Sequence, residues 1–310
     1  MAFRYINPGY AELFDTVADG FSTVNSTVYN PTNAVAIKGV DSISTILPAG
    51  YISNIFYCRA DIYVEGAAAN YSDFRMGLLH YNALSNKDYF SGVFSYYGQA
   101  AICHYGSRLA LTQAKFKSNA LNTLTFSMNY KDATAFCTLN GETISAENLS
   151  NIQYYNEQSP FAVVLYSGAT ANYYLSNLII SDQEISPKEQ VISLPIKSTS
   201  TDMATTDDGI FIADAANQSL LSGVDVSSLI DDYGADSAVT GIALVGKPAY
   251  KTATGITSLI SLSMADSIVT EHNSVNLSDD TTAAVTDGWS LDNITIADLA
   301  KMQFGWKVGA

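Results

Sequence analysis

Six tyrosines of this chain stand in adjacent pairs: Tyr96–Tyr97, Tyr154–Tyr155 and Tyr173–Tyr174. Successive side chains of a strand point to opposite faces, so one ring of each pair is expected to face outward. An exposed tyrosine ring can stack on a sugar face or anchor a protein interface. These six residues are the candidate recognition surface. The three histidines offer less. His80 continues the apolar face of Phe74, Met76 and Leu78, and His104 continues that of Ala100 and Ile102, which places both in or just under a core. His272, in the polar stretch EHNS, reads as a loop residue. Nucleophile and phosphate signatures are missing: no G-x-S-x-G elbow, no H-E-x-x-H, no P-loop and no G-x-G-x-x-G after a strand. The acidic pairs Asp207–Asp208, Asp231–Asp232 and Asp279–Asp280 lack the spacing of an EF-hand and read as solvated charge rather than calcium ligands. No catalytic residue, metal or cofactor is expected, and the chain reads as a non-enzyme.

Cys58, Cys103 and Cys137 are odd in number and far apart, unlike a disulfide framework or a zinc site. They read as small buried hydrophobes made in a reducing cytoplasm. The opening residues, MAFRYINPGYAELFD, lack the apolar core of a secretory signal. No window approaches 18 uncharged apolar residues, so no membrane-spanning helix is expected.

The elements that must position the tyrosines follow from periodicity. In Leu124–Lys131, Leu124, Phe126, Met128 and Tyr130 fall on one face, and Thr125, Ser127, Asn129 and Lys131 on the other. Phe56–Val64 and Phe74–His80 repeat that alternation, and Tyr89–Tyr97 and Phe161–Ser167 read as further strands. Turn signals separate them at 47–50, 65–73, 84–88 and 139–142. This first part is expected to be an antiparallel β-sandwich. The second part has shorter runs at Ile210–Ala213, Val239–Val245 and Leu259–Ser263. It then has one short helix capped by Thr295, with Leu299 and Met302 on a shared face, and a closing strand QFGWKV.

Charge separates the two parts. The chain carries a formal net charge of −15 over 310 residues, of which residues 1–181 hold −3 and residues 182–310 hold −12. All four arginines and 18 of the 20 tyrosines lie in the first part. An acidic chain without clustered Lys and Arg is a poor nucleic-acid binder and a poor fit to an anionic membrane. The fold class expected is all-β, divided into an N-terminal arm (1–15), a sandwich (16–185), a linker (186–200) and a small C-terminal β domain (201–310).

Two segments resemble known families. NTLTFSMNYKDATAFCTLNGE (122–142), with its Asn140–Gly141 turn, and the later element Leu175–Asp182 resemble the concanavalin A/laminin-G-like sandwich. Trp289, the helical turn Thr295–Met302 and the strand Gln303–Val308 are similar to the ending of tailed-phage virion proteins, with Lys301 where a small residue is usual. The resemblance implies a structural protein of the phage tail, fibre or baseplate, active in particle assembly and host attachment. It would be a homo-oligomer, a trimer by preference, located in the virion. Its partners would be other virion proteins and a bacterial surface glycan. A head fibre or capsid decoration protein is an alternative role. A carbohydrate-binding module is another, and a depolymerase would need two carboxylates about 5–10 Å apart in an aromatic groove.

Overall fold

The computed structural model describes residues 4–7, 9, 11, 14, 16–17, 21–25, 33–37, 42–45, 55–67, 74–82, 87–104, 107–147, 149, 161–165, 171–186, 189–192, 194–205, 211–246, 256–277 and 285–309. The chain divides into two compact units, Ala2–Val191 and Ile192–Ala310.

The first unit contains β1 (Arg4–Asn7), β2 (Thr16–Val17), β3 (Phe21–Asn25), β4 (Asn33–Ile37), β5 (Ser42–Thr45), β6 (Ile55–Gly66), β7 (Phe74–Asn82) and β8 (Lys87–Tyr96). It continues with β9 (Gln99–His104), β10 (Ser107–Lys115), β11 (Ala120–Asn129), β12 (Thr134–Leu139), β13 (Glu142–Glu147), β14 (Phe161–Leu165) and β15 (Ala171–Ser181). They build two antiparallel sheets. One runs β13-β12-β11-β6-β15-β4-β3, with β1 also paired to β15, and the other runs β10-β9-β8-β7-β14-β5-β2. The residues 1–15, expected as an arm, therefore supply a strand, with Arg4 opposite Ser181.

Period-two alternation makes the sandwich. Phe56, Cys58, Ala60, Ile62 and Val64 of β6 and Leu124, Phe126 and Met128 of β11 are buried in one continuous core with Phe74, Met76 and Leu78 of β7. Aromatic pairs lock the two sheets together. Tyr173 of β15 stacks on Phe74 of β7 with centroids 5.2 Å apart, and Phe126 stacks on Phe161 at 6.5 Å. Cys58, Cys103 and Cys137 are buried and unoxidised, and burial raises the Cys58 and Cys137 thiols well above their ordinary pKa.

The second unit contains β16 (Ile196–Thr201), β17 (Ala204–Thr205), β18 (Phe211–Ile212), β19 (Ser219–Val224), α1 (Ser227–Tyr233), β20 (Ala238–Gly246), β21 (Ser258–Ala265), β22 (Ile268–Asn276), β23 (Val285–Thr295), α2 (Ile296–Leu299) and β24 (Gln303–Gly309). Its main sheet runs β16-β19-β24-β21-β22, beside two-stranded ribbons β17-β18 and β20-β23. Residues 186–200, expected as linker, thus include most of an edge strand, since Ile196–Thr201 pairs with β19. Among the described residues there are two helices rather than one. The expected helix, α2, carries a full capping box: Thr295 Oγ1 accepts from the Asp298 N–H at 3.2 Å, and the Asp298 carboxylate accepts from the Thr295 N–H.

Trp289 fills the centre of this unit with Val226, Leu229, Ile296, Leu299, Met302 and Phe304. Trp306 packs on a neighbouring cluster of Ile256, Leu259 and Val308. In the closing strand Gly305 is required by close approach, because a Cβ there would lie 1.7 Å from the Leu220 carbonyl oxygen of β19.

Candidate functional site

The tyrosine pairs come to very different ends. Tyr173 is fully buried in the sandwich core, so it offers no recognition surface. Tyr174 does point to the other face of the same strand, as alternation requires, yet it is only 9% exposed. Tyr63 covers it edge-on at 6.1 Å, and its hydroxyl donates to Glu65 at 2.9 Å. The outer face of β15 is covered by its own neighbours, which period-two reasoning does not foresee. Tyr154 and Tyr155 lie outside the described residues.

Tyr96 and Tyr97 form an exposed feature. Tyr96 ends β8, and Tyr97 and Gly98 make a two-residue turn into β9, with φ of 48° and 81°. Positive φ at both central residues is the geometry that matches strand twist in a tight hairpin, and Asn-Gly is its usual sequence. A tyrosine in this region costs roughly 1 kcal/mol against its Cβ. Tyr97 remains 51% exposed. Its ring meets Tyr96 edge-on at 4.9 Å, Tyr96 meets Phe94 in the same manner at 6.0 Å, and the Arg108 guanidinium of β10 lies 4.1 Å from the Tyr96 centroid. The hairpin is fastened to β10 and the residue after it: Ala100 N–H donates to Thr112 Oγ1, and Phe116 N–H donates to the Gly98 carbonyl.

This ladder continues across the outer face of the seven-stranded sheet. Phe90, Phe94, Ala101 and Cys103 cluster there with Leu79 and Leu111, and the Arg75 guanidinium sits over both phenyl rings at 5.9 and 5.8 Å. Between them Gly77 and Gly92 face each other so closely that a Cβ on either would reach backbone of the other strand at 2.7 Å or less. Aromatic rings, two guanidinium groups and a small-residue floor are thus set along one sheet face, ending at exposed Tyr97.

Of the histidines, His104 is buried with Nδ1 3.0 Å from Ser91 Oγ; the His80 side chain lies outside what is described. His272 departs from expectation. It sits on β22 rather than in a loop, its ring stacked 3.9 Å from Trp289, with Nε2 2.7 Å from Ser263 Oγ. A register shift opposite Ser261 hides the alternation, since at the bulge adjacent residues both meet β23, Asn273 at Asp287 and His272 at Trp289. The pair resembles a nucleophile and base, but Asp287 accepts from Ser261 and Asn273 instead of orienting the imidazole. His272 Nδ1 and Trp289 Nε1 are buried without a hydrogen-bond partner among the described residues.

Burial holds His272 below its ordinary pKa, with Asp287 opposing more weakly. The unfolded chain therefore binds a proton that the folded unit refuses. The stabilising contribution is complete above about pH 6.5 and is lost as pH falls below it toward the folded pKa. His272→Gln is expected to shrink the drop in melting temperature of the second unit between about pH 7.5 and 5.5. Equal drops in variant and parent, followed by circular dichroism, would contradict this.

Among the described residues no cluster of three or more His, Cys, Asp or Glu is arranged to hold a metal ion. Asp231 and Asp232 are exposed on α1; the other two acidic pairs lie outside the described residues.

No protein-family model matches the chain, and no curated protein does. Among solved structures it is similar to basic winged bean lectin with Tn-antigen, at 10% identity over 58% of this chain and 98% of that one, with a TM-score of 0.42. Peanut lectin follows at 8% identity, 58% and 97% coverage and a TM-score of 0.40. Domain 4 of an extracellular arabinanase from Geobacillus stearothermophilus, in complex with arabinotriose, has 14% identity, 59% and 84% coverage and a TM-score of 0.36. Likenesses at this level carry no information about ligand or role.

Proposed function

We propose that this chain is a non-enzymatic structural protein of a tailed-phage virion, associated with tail, fibre or baseplate, that attaches to a bacterial surface glycan through the Tyr96–Tyr97–Arg108 edge. The virion role is supported by the resemblance of Trp289 and residues 295–308 to phage protein endings. The attachment role is carried by one observation: Tyr97 holds a left-handed conformation while half its surface stays in water. Asparagine or glycine would fill that turn at lower cost. Backbone strain kept at an exposed aromatic residue is a mark of function rather than of folding. Tyr97 presents a ring for a sugar face, and Arg108, fixed over Tyr96, presents a fork of donors for sugar hydroxyls or a carboxylate.

Tyr97→Asn separates the two explanations. It is expected to stabilise the sandwich by up to about 1 kcal/mol through relief of strain, and to lower glycan affinity about tenfold. Urea melts and binding to a bacterial glycan array measure both. A variant that binds as well as the parent would remove Tyr97 from the site. Imaging of virions labelled on this protein tests the location, and label on the capsid shell would overturn the tail assignment.

A further inference from the structure

We propose a second saccharide-binding surface on the outer face of β11–β13, centred on Phe136 and suited to a neutral pyranose polymer. Unlike the Tyr97 edge, it involves neither strain nor arginine, and it stands without that reading.

Phe136 is 49% exposed although its strand neighbours Ala135 and Cys137 are buried. The three strands run in unbroken register here. Ser127 of β11 and Ser145 of β13 lie directly opposite Phe136, and Thr134 and Thr138 flank it along β12. The diagonal positions are polar too. Thr125, Asn129 and Thr143 are uncharged, and Glu147 is the one ionised neighbour. A lone phenyl ring thus stands in a flat field of hydroxyl and amide groups.

Those groups are held in place. The Thr138 and Thr143 hydroxyls bond each other at 2.8 Å. The Asn129 amide donates to the Asp132 carboxylate at 2.8 Å and accepts from its N–H at 2.9 Å. Arg59, beyond Thr125 on the adjacent row, is buried and paired with Asp61. Tyr57 lies beyond Ser127 on the row of Phe136. Two strand spacings separate the rings, about 9.6 Å, which leaves room for consecutive sugar rings.

This composition selects the occupant. A protein hot spot needs apolar groups packed around its aromatic anchor to exclude water, and here every neighbour of the ring is polar. An anionic glycan would meet the Glu147 and Asp132 carboxylates as well as the exposed Lys131 in the turn after Asn129, with no surplus of positive charge among these residues. A neutral pyranose has an apolar ring face for the phenyl, and hydroxyls that donate and accept as serine and threonine do.

Affinity electrophoresis of the full chain in gels containing hydroxyethylcellulose, galactomannan or mixed-linkage β-glucan tests the proposal. The parent is expected to be retarded by at least one of these polymers. Phe136→Ala should lose about tenfold in affinity, and Phe136→Trp should keep it. Circular dichroism establishes that each variant is folded. Absence of retardation by all three neutral polymers, or equal retardation of parent and Phe136→Ala, would overturn it. So would sedimentation showing that Phe136→Ala dissolves a dimer, which would assign the face to a second copy. Loss on Tyr97→Asn with retention on Phe136→Ala would sink this site and leave the first.

Discussion

Replacing Trp289 with alanine is expected to destabilise the second unit by about 3–5 kcal/mol while the sandwich keeps its stability. The indole is 2% exposed and lies in a cluster drawn from both helices and β24. It packs with Val226 and Leu229 at α1, Ile296 and Leu299 of α2, and Phe304 of β24, whose ring lies 6.4 Å away. His272 stacks on the indole at 3.9 Å. Few rearrangements can refill a hole bordered by two short helices and a sheet, so the cavity cost adds to the lost burial. Against a domain stability of about 5–15 kcal/mol, such a loss brings the unit near its threshold. Hydrogen exchange on the full chain measures it. Amides of β20 to β24 should lose protection, and those of β6 and β11 should keep it. Unchanged protection in β23 and β24 would contradict the central place given to Trp289.

The second large effect lies in the first unit. Arg59 and Asp61 form an ion pair of 3.1 Å on β6, and each side chain is only 4% exposed. Asp61 also accepts from the Asn177 amide at 2.7 Å and from the Thr123 hydroxyl at 3.0 Å. Asp61→Ala would leave the guanidinium buried without its counter-charge and deprive two donors of their acceptor. The expected loss is about 3–5 kcal/mol. Replacing both residues by apolar ones, Arg59→Met with Asp61→Leu, should cost much less, because neither charge then needs solvation. Urea melts compare the two. A double variant as unstable as Asp61→Ala would show that the pair contributes through shape rather than charge.

These two sites differ in how far the sequence reveals them. Trp289, the Thr295–Asp298 cap and the QFGWKV strand are local, and their signals lie within a few residues. The alternation in Phe56–Val64, Phe74–His80 and Leu124–Lys131 is legible for the same reason, since each strand declares its buried face. The Asp61 network is not legible, because Asn177 reaches it across 116 positions. Asn177 adopts φ 50° at a register shift between Ser176 and Ile179, and no local pattern announces that bulge. Helix α1 escapes for another reason. Val226 at its start makes no side-chain cap, and Asp231 and Asp232 stand in its closing turns, where the helix dipole disfavours them. The tyrosine pairs show the limit of alternation itself. It assigns Tyr173 and Tyr174 to opposite faces but does not reveal that Tyr63 and Glu65 cover the outer one. Phe136 is the converse case, an aromatic residue on the polar face, visible only when the register places Ser127 and Ser145 beside it.

Tyr97 carries the account of attachment, and surface plasmon resonance tests it most directly. The parent and Tyr97→Asn would be passed over the immobilised polysaccharide that gives the strongest array signal. Reversible, saturable binding by the parent over a baseline that returns intact, with affinity about tenfold weaker in the variant, is the predicted result. Equal binding by both proteins, or a surface that erodes as the parent flows, would contradict it.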